Sequence, residues 1–367
     1  MKKKPNFVIF ITDQLRWDYL GCNGHKIIKT PNIDHIASEG TNFSQFYVAS
    51  PVCMPNRASL MTGRYPSVHG LRYNGNYLPK DATTFIDVLS KEGYDTSSFG
   101  KIHLQPMTDL PPHPWVNDED LGPIKESWSV NHEGYKVEQS KNYKSKKYFE
   151  IPKPYYGFHH VDLVTGHGDK CNGHYMQWLR DNFSDYERFF DPLNQVPHNY
   201  SCRQGYRTPI PEDFYPTAFV EKKSIEYYNS ISNKKNPFIS FVSFPDPHHP
   251  FTPPGKYWDM YDPDNFEVNL DYDFHKNPIL PMQRVRQMYL NGIEPKVSTS
   301  VFMAEKRQIQ ESMALTAGMI TMIDDSIGRV IQSLKKNNLY DNTVIIFTSD
   351  HGDYLGDFSL MLKGALP

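Results

Sequence analysis

Phe7-Val8-Ile9-Phe10-Ile11-Thr12-Asp13-Gln14 stands near the start of the chain, and Val344-Ile345-Ile346-Phe347-Thr348-Ser349-Asp350-His351-Gly352 answers it near the end. Continuous β-branched and aromatic runs of this length read as strands covered on both faces, the habit of a parallel sheet. In such sheets functional groups collect just beyond the carboxyl ends of the strands. Each run delivers an acid and a second ligand-capable side chain at that point. If the two strands are neighbours, Asp13, Gln14, Asp350 and His351 converge on an oxygen-rich set with one imidazole, suited to a hard cation such as Ca2+.

Working outward, the pattern alternates. Thr83 to Glu92 reads as a helix with Phe85, Val88 and Leu89 on one face, closed by Gly93. A strand from Asp95 to Phe99 then leads into Gly100-Lys101-Ile102-His103. Phe238 to Phe244 is another apolar run, opening into Pro245-Asp246-Pro247-His248-His249-Pro250. Glu311 to Lys336 spaces Leu315, Ile320, Ile323, Ile327, Ile331 and Leu334 for one face of a long helix. The expected fold class is therefore α/β, with a mostly parallel central sheet flanked by helices on both faces. Residues 105 to 215, rich in Pro and aromatics without clear periodicity, read as a loop-rich insertion that walls the site.

The 367 residues, 38% hydrophobic and 22% charged, suit a globular chain with a sizeable core. A net charge of -3 gives no electrostatic case for nucleic acid, and Lys2-Lys3-Lys4 reads as a solvated terminus. No stretch approaches the roughly 20 apolar residues of a membrane span, and no signal-peptide core follows Met1. With Met1 as the native start, the expected location is cytoplasmic. Cys22, Cys53, Cys171 and Cys202 lie far apart; a Cys171–Cys202 bridge stays open, with free thiols the expectation.

The most specific stretch is Pro51-Val52-Cys53-Met54-Pro55-Asn56-Arg57, continuing Ala58-Ser59-Leu60-Met61-Thr62-Gly63-Arg64. It resembles the signature of the type I, formylglycine-dependent sulfatases of the alkaline phosphatase superfamily: Cys-x-Pro-x-Arg with an Ala/Ser-Leu-hydroxyl-Gly-Arg tail. The resemblance implies an alkaline-phosphatase-like fold and conversion of Cys53 to formylglycine by a formylglycine-generating enzyme. The hydrated aldehyde offers one hydroxyl to attack sulfur beside a divalent cation and a second to expel sulfate afterwards. A helix beginning within residues 57 to 63 would turn its positive end toward Cys53 and the sulfate.

The same resemblance assigns roles residue by residue. Cys53 joins Asp13, Gln14, Asp350 and His351 at the metal, and Arg57 holds the formylglycine side chain. Lys101 and His103, in Gly-Lys-x-His, hold the nucleophile and a sulfate oxygen. His248, in Pro-His-x-Pro, binds sulfate and assists the leaving group, while His249 is left an ordinary structural role. Lys363, in Leu360-Met361-Leu362-Lys363-Gly364, donates to the leaving-group oxygen. Where many sulfatases carry Asp-Asp and Asp-Asn, this chain has Asp13-Gln14 and Asp350-His351. That departure resembles the phosphonate monoester hydrolases and makes Mn2+, or Mg2+, an alternative to Ca2+. Arg72, Asn74, His167 and His174 are weaker candidates for substrate contact.

The resemblance points to hydrolysis of a sulfated small molecule or carbohydrate. Its alternatives are a phosphonate or phosphodiester hydrolase with the same nucleophile, and a truncated relic without catalysis. Family members usually continue into a smaller C-terminal subdomain, which nothing after Lys363 supplies; the expectation is an exposed sheet flank and a loosely held Lys363. Oligomeric state is not legible.

Overall fold

In the computed structural model, which describes residues 4–108, 134–295 and 300–363, the opening apolar run forms strand β1 (Asn6–Thr12). Its side chains alternate between two cores, Val8 and Phe10 on one face, Ile9 and Ile11 on the other. The strands that follow are β2 (Asp95–Gly100), β3 (His160–Thr165), β4 (Asn172–Gly173), β5 (Phe238–Ser243), β6 (Phe302–Met303), β7 (Thr343–Ser349) and β8 (Leu360–Met361). The helices are α1 (Pro31–Ser38), α2 (Cys53–Thr62), α3 (Pro66–His69), α4 (Phe85–Lys91), α5 (His174–Asn182), α6 (Pro216–Ile231), α7 (Leu280–Leu290) and α8 (Lys306–Lys336).

The six-stranded sheet runs β4-β3-β2-β5-β1-β7, parallel except for β4. The core on the Val8 side takes in Ile33 of α1, Phe219 of α6, and Ile323 and Ile327 of α8. The opposite core takes in Met54, Ala58 and Met61 of α2 and Ile86 of α4. Helices thus cover both faces, as the sequence pattern predicts.

Local chemistry sets the element ends. Thr84 and Asp87 form a capping box at the start of α4. Helix α8 begins five residues before the expected Glu311, because Glu305 and Gln308 build a second capping box there. Gly100 ends β2 at φ 102°, where an added Cβ would lie 1.8 Å from the Ser243 carbonyl oxygen, so only glycine lets β2 and β5 meet there.

Two expectations are corrected. Strand β7 is not covered on both faces: it is the sheet's edge, with Val344 44% and Ile346 41% exposed. The stretch 105–215 also contributes to the sheet itself, through β3 and β4, and carries α5. All four cysteines are free thiols. Among the described residues no helix is long and apolar enough to cross a membrane.

Candidate active site

The parallel register brings the two acidic strand ends together. Thr12 pairs with Ser349, so Asp13 and Asp350 leave the sheet side by side. The Asp350 amide donates to the Thr12 carbonyl at 3.0 Å, and the Asp13 amide to the Asp246 carbonyl at 3.1 Å. Gln14 then takes a left-handed φ of 68°, its own amide donating to Asp350 Oδ1 at 3.0 Å.

Cys53 is the first residue of α2, so the expected helix starts four residues earlier than the sequence suggests, at the cysteine itself. Asn74 Oδ1 accepts from the Met54 amide at 3.1 Å, satisfying one of the donors a helix start leaves free. The Cys53 thiol lies 3.1 Å from His351 Nε2, 3.0 Å from Lys363 Nζ and 3.6 Å from Asp13 Oδ1. Burial and Asp13 oppose its ionisation, yet the Lys363 and Lys101 ammonium groups hold it below the ordinary thiol value.

Asp13, Cys53, Asp350 and His351 form a buried group able to hold a metal ion. His351 Nδ1 donates to the Gly352 carbonyl at 2.8 Å, which leaves the Nε2 lone pair for the centre, the orientation a metal-ligating imidazole needs. Gln14 Oε1 adds an amide oxygen, facing the Lys363 ammonium at 2.5 Å. Two carboxylates, one imidazole and an amide oxygen fit a divalent cation. Burial works against an ionised Asp13, but Lys101, Lys363 and Arg57 outweigh it and hold the carboxyl well below its ordinary range.

Arg57 is fully buried: Nε pairs with Asp350 Oδ2 at 2.7 Å, and Nη1 donates to the Lys101 carbonyl and to Ser243 Oγ. Its Nη2 lies 3.5 Å from Asp13 Oδ2, an ion pair without a hydrogen bond. Lys101 Nζ donates to Asp13 Oδ2 and, at 2.6 Å, to His167 Nε2. His167 therefore belongs to the site, where its ring stacks on His248 at 3.5 Å between centroids. His103, at φ 58°, is buried with Nδ1 unpartnered. Lys363 is not loosely held; it is buried and bonded to Gln14 and Cys53.

His174 is a correction. It sits at the start of α5, accepts from the Leu163 amide, reaches the Phe149 carbonyl and stacks on Tyr148, so it props β3 instead of meeting substrate. Arg72 is exposed and forms no hydrogen bond or ion pair among the described residues. Sequence reasoning missed Glu138, Asp353 and His249. Asp353 Oδ2 accepts from Gln14 Nε2, and its spacing three residues beyond Asp350 was the one signal that could have placed it. His249 is stacked on His248 at 3.9 Å and reaches Gln14, well inside the site.

Fold and site together define an alkaline-phosphatase-like α/β protein with a metal-binding centre and a helix-borne cysteine. The chain belongs to the sulfatase family, whose model, described as Sulfatase, matches residues 5–365. It is similar to the arylsulfatase of Clostridium perfringens, 29% identical over 364 residues that cover 98% of this chain and 66% of that protein. The ulvan-active sulfatase of Formosa agariphila is 26% identical over 359 residues, 96% of this chain and 51% of the relative. The crystal structure of a phosphonate monoester hydrolase of Agrobacterium radiobacter shares the fold, with a TM-score of 0.69 at 23% identity over 99% of this chain and 66% of that one. The chain thus spans between about half and two thirds of these relatives' lengths.

Proposed function

We propose that this chain carries the catalytic centre of a sulfate-ester hydrolase, with a nucleophile made by oxidising Cys53 to formylglycine. The observation that carries the reading is the placement of Cys53: first residue of α2, within 3.6 Å of Asp13, His351 and Lys363. The positive end of a helix and the fixed cations Arg57, Lys101 and Lys363 suit a tetrahedral anion. The formylglycine hydrate would supply the hydroxyl nucleophile, and a divalent cation bound beside it would favour its ionised form and share the substrate's charge. Asp13, Gln14, Asp350 and His351 would hold that cation; Ca2+ suits the oxygens, with Mn2+ the alternative that the imidazole favours.

This chain's own residues do the remaining work. Arg57 Nη2, ion-paired with Asp13 Oδ2 at 3.5 Å but without a hydrogen bond, and His103 Nδ1, buried and unpartnered, can each donate to the nucleophile or a sulfuryl oxygen. Lys101, fixed by Asp13 and His167, offers positive charge beside them. His248 donates Nδ1–H to the His249 carbonyl, which leaves Nε2 to exchange a proton with the leaving group. Relatives named arylsulfatase and ulvan-active sulfatase support a sulfated aryl or carbohydrate substrate.

A second reading, phosphonate or phosphodiester hydrolysis, is favoured by Gln14 and His351 in the metal group. The test is turnover of an aryl sulfate and a phenyl phosphonate by protein co-expressed with a formylglycine-generating enzyme. Faster hydrolysis of the sulfate, abolished in Cys53→Ala and by a chelator, is the expected result. Preferential turnover of the phosphonate would establish the second reading.

A further inference from the structure

His249 occupies the variable position of the Pro-His-x-Pro element, yet it is 3% exposed and its Nε2 has no hydrogen-bond partner. Its protonation state follows from its neighbours. Lys363 Nζ can only donate, so the Gln14 side-chain oxygen must face it. The Gln14 amide nitrogen then faces Asp353 Oδ2 on one side and His249 Nδ1, at 3.3 Å, on the other. A metal ion on the Gln14 oxygen would leave that orientation unchanged. An amide N–H can only donate, so His249 Nδ1 accepts, and the neutral ring carries its proton on Nε2.

The adjacent ring has the opposite polarity. His248 gives its Nδ1 proton to the His249 carbonyl and keeps Nε2 as an acceptor. Two stacked imidazoles, 3.9 Å apart at 27°, thus present one acceptor and one donor. A buried N–H without an acceptor is costly in a folded protein unless a ligand supplies one.

We propose that His249 is a substrate-binding residue whose Nε2–H donates to an oxygen of the sulfuryl group. The proposal rests on the sulfate-ester reading of the same site. It is tested by three measurements on the full chain: 15N NMR of histidine-labelled protein, calorimetric binding of inorganic sulfate, and aryl sulfate kinetics of the matured enzyme. His249→Gln can return an N–H near the Nε2 position, whereas His249→Asn mimics only the Nδ1 side that meets Gln14. The expected result is a pyrrole-type shift at Nε2 in the wild type. Sulfate affinity and kcat/KM should fall about 10- to 100-fold in His249→Asn, with most of both retained in His249→Gln. A role confined to holding Gln14 predicts the reverse order. A proton on Nδ1, no sulfate binding by the wild type, or Asn performing as well as Gln would each overturn the proposal. Sulfate binding without turnover in the wild type would instead contradict the sulfate-ester reading, while the tautomer and the binding series still decide His249.

Discussion

Glu138 shows how much of the site is set by single buried groups that touch no reactant. Its carboxylate accepts the successive amides of His103, Leu104 and Gln105, at 2.9, 2.9 and 3.1 Å, and the Tyr155 hydroxyl at 2.8 Å. That clamp holds the turn on which His103 takes its left-handed φ. Glu138→Ala leaves three amides without an acceptor and should cost about 3 kcal/mol or more by chemical denaturation, with Glu138→Gln falling in between. A loss under about 1 kcal/mol in the alanine variant would contradict the clamp. Asp169 makes a pH prediction. Burial raises its carboxyl from the ordinary 3.8 to about 6. The folded protein therefore holds this proton more tightly than the unfolded chain, so its contribution is most favourable below that window. Stability should decline by roughly 2–3 kcal/mol as pH rises from about 4 to about 6, and Asp169→Asn should remove that part of the slope. At this scale the sequence was legible where a motif fixed both residue and order, as for Cys53, Arg57 and Lys101. It was not legible for Glu138, which meets His103 from 35 positions away, or for His249, whose role follows from a hydrogen-bond chain through Gln14. His174 misled because a histidine near the site in sequence is indistinguishable from one that supports a strand.

Among the elements, α8 organises its neighbours beyond its apolar face. Asp324, buried on α8, accepts the Asn32 and Ile33 amides at 3.2 and 2.8 Å and the Asn32 side chain at 2.8 Å, capping α1 from another helix. The Thr30 side chain supplies no cap of its own. Asp324→Ala should cost about 1–3 kcal/mol and raise amide exchange in the first turn of α1. Unchanged exchange there would show that the cap is dispensable. Long periodic or continuous apolar runs made β1, β5 and α8 readable, because burial dictates their pattern. The start of α2 was misplaced because Pro55 resembles a break although proline is tolerated in a helix's first turn. Strand β3 stayed hidden because His160-Val161-Asp162-Leu163 alternates weakly within a loop-rich stretch.

At the scale of the whole molecule, the exposed apolar side chains among the described residues include Val344 and Ile346 on the edge strand, and Phe43, Phe46 and Tyr47, each 69–81% exposed, ahead of the Cys53 helix. An uncovered edge strand with apolar side chains invites association between chains. Ile346→Lys should change stability by about 0.5 kcal/mol or less while lowering concentration-dependent light scattering. Equal scattering would mean that this edge does not drive self-association. The sequence reading of β7 as covered on both faces failed because composition does not reveal a strand's neighbours; only the sheet order does. The register that joins Asp13 to Asp350, and α2 that sets Cys53 beside them and Lys363, carry the central proposal, that this cysteine is converted to formylglycine. The most direct measurement is the mass of the tryptic peptide Thr30–Arg57 from protein co-expressed with a formylglycine-generating enzyme. An aldehyde in place of the thiol at Cys53 is the predicted result, and a peptide that retains its thiol under those conditions would contradict the account.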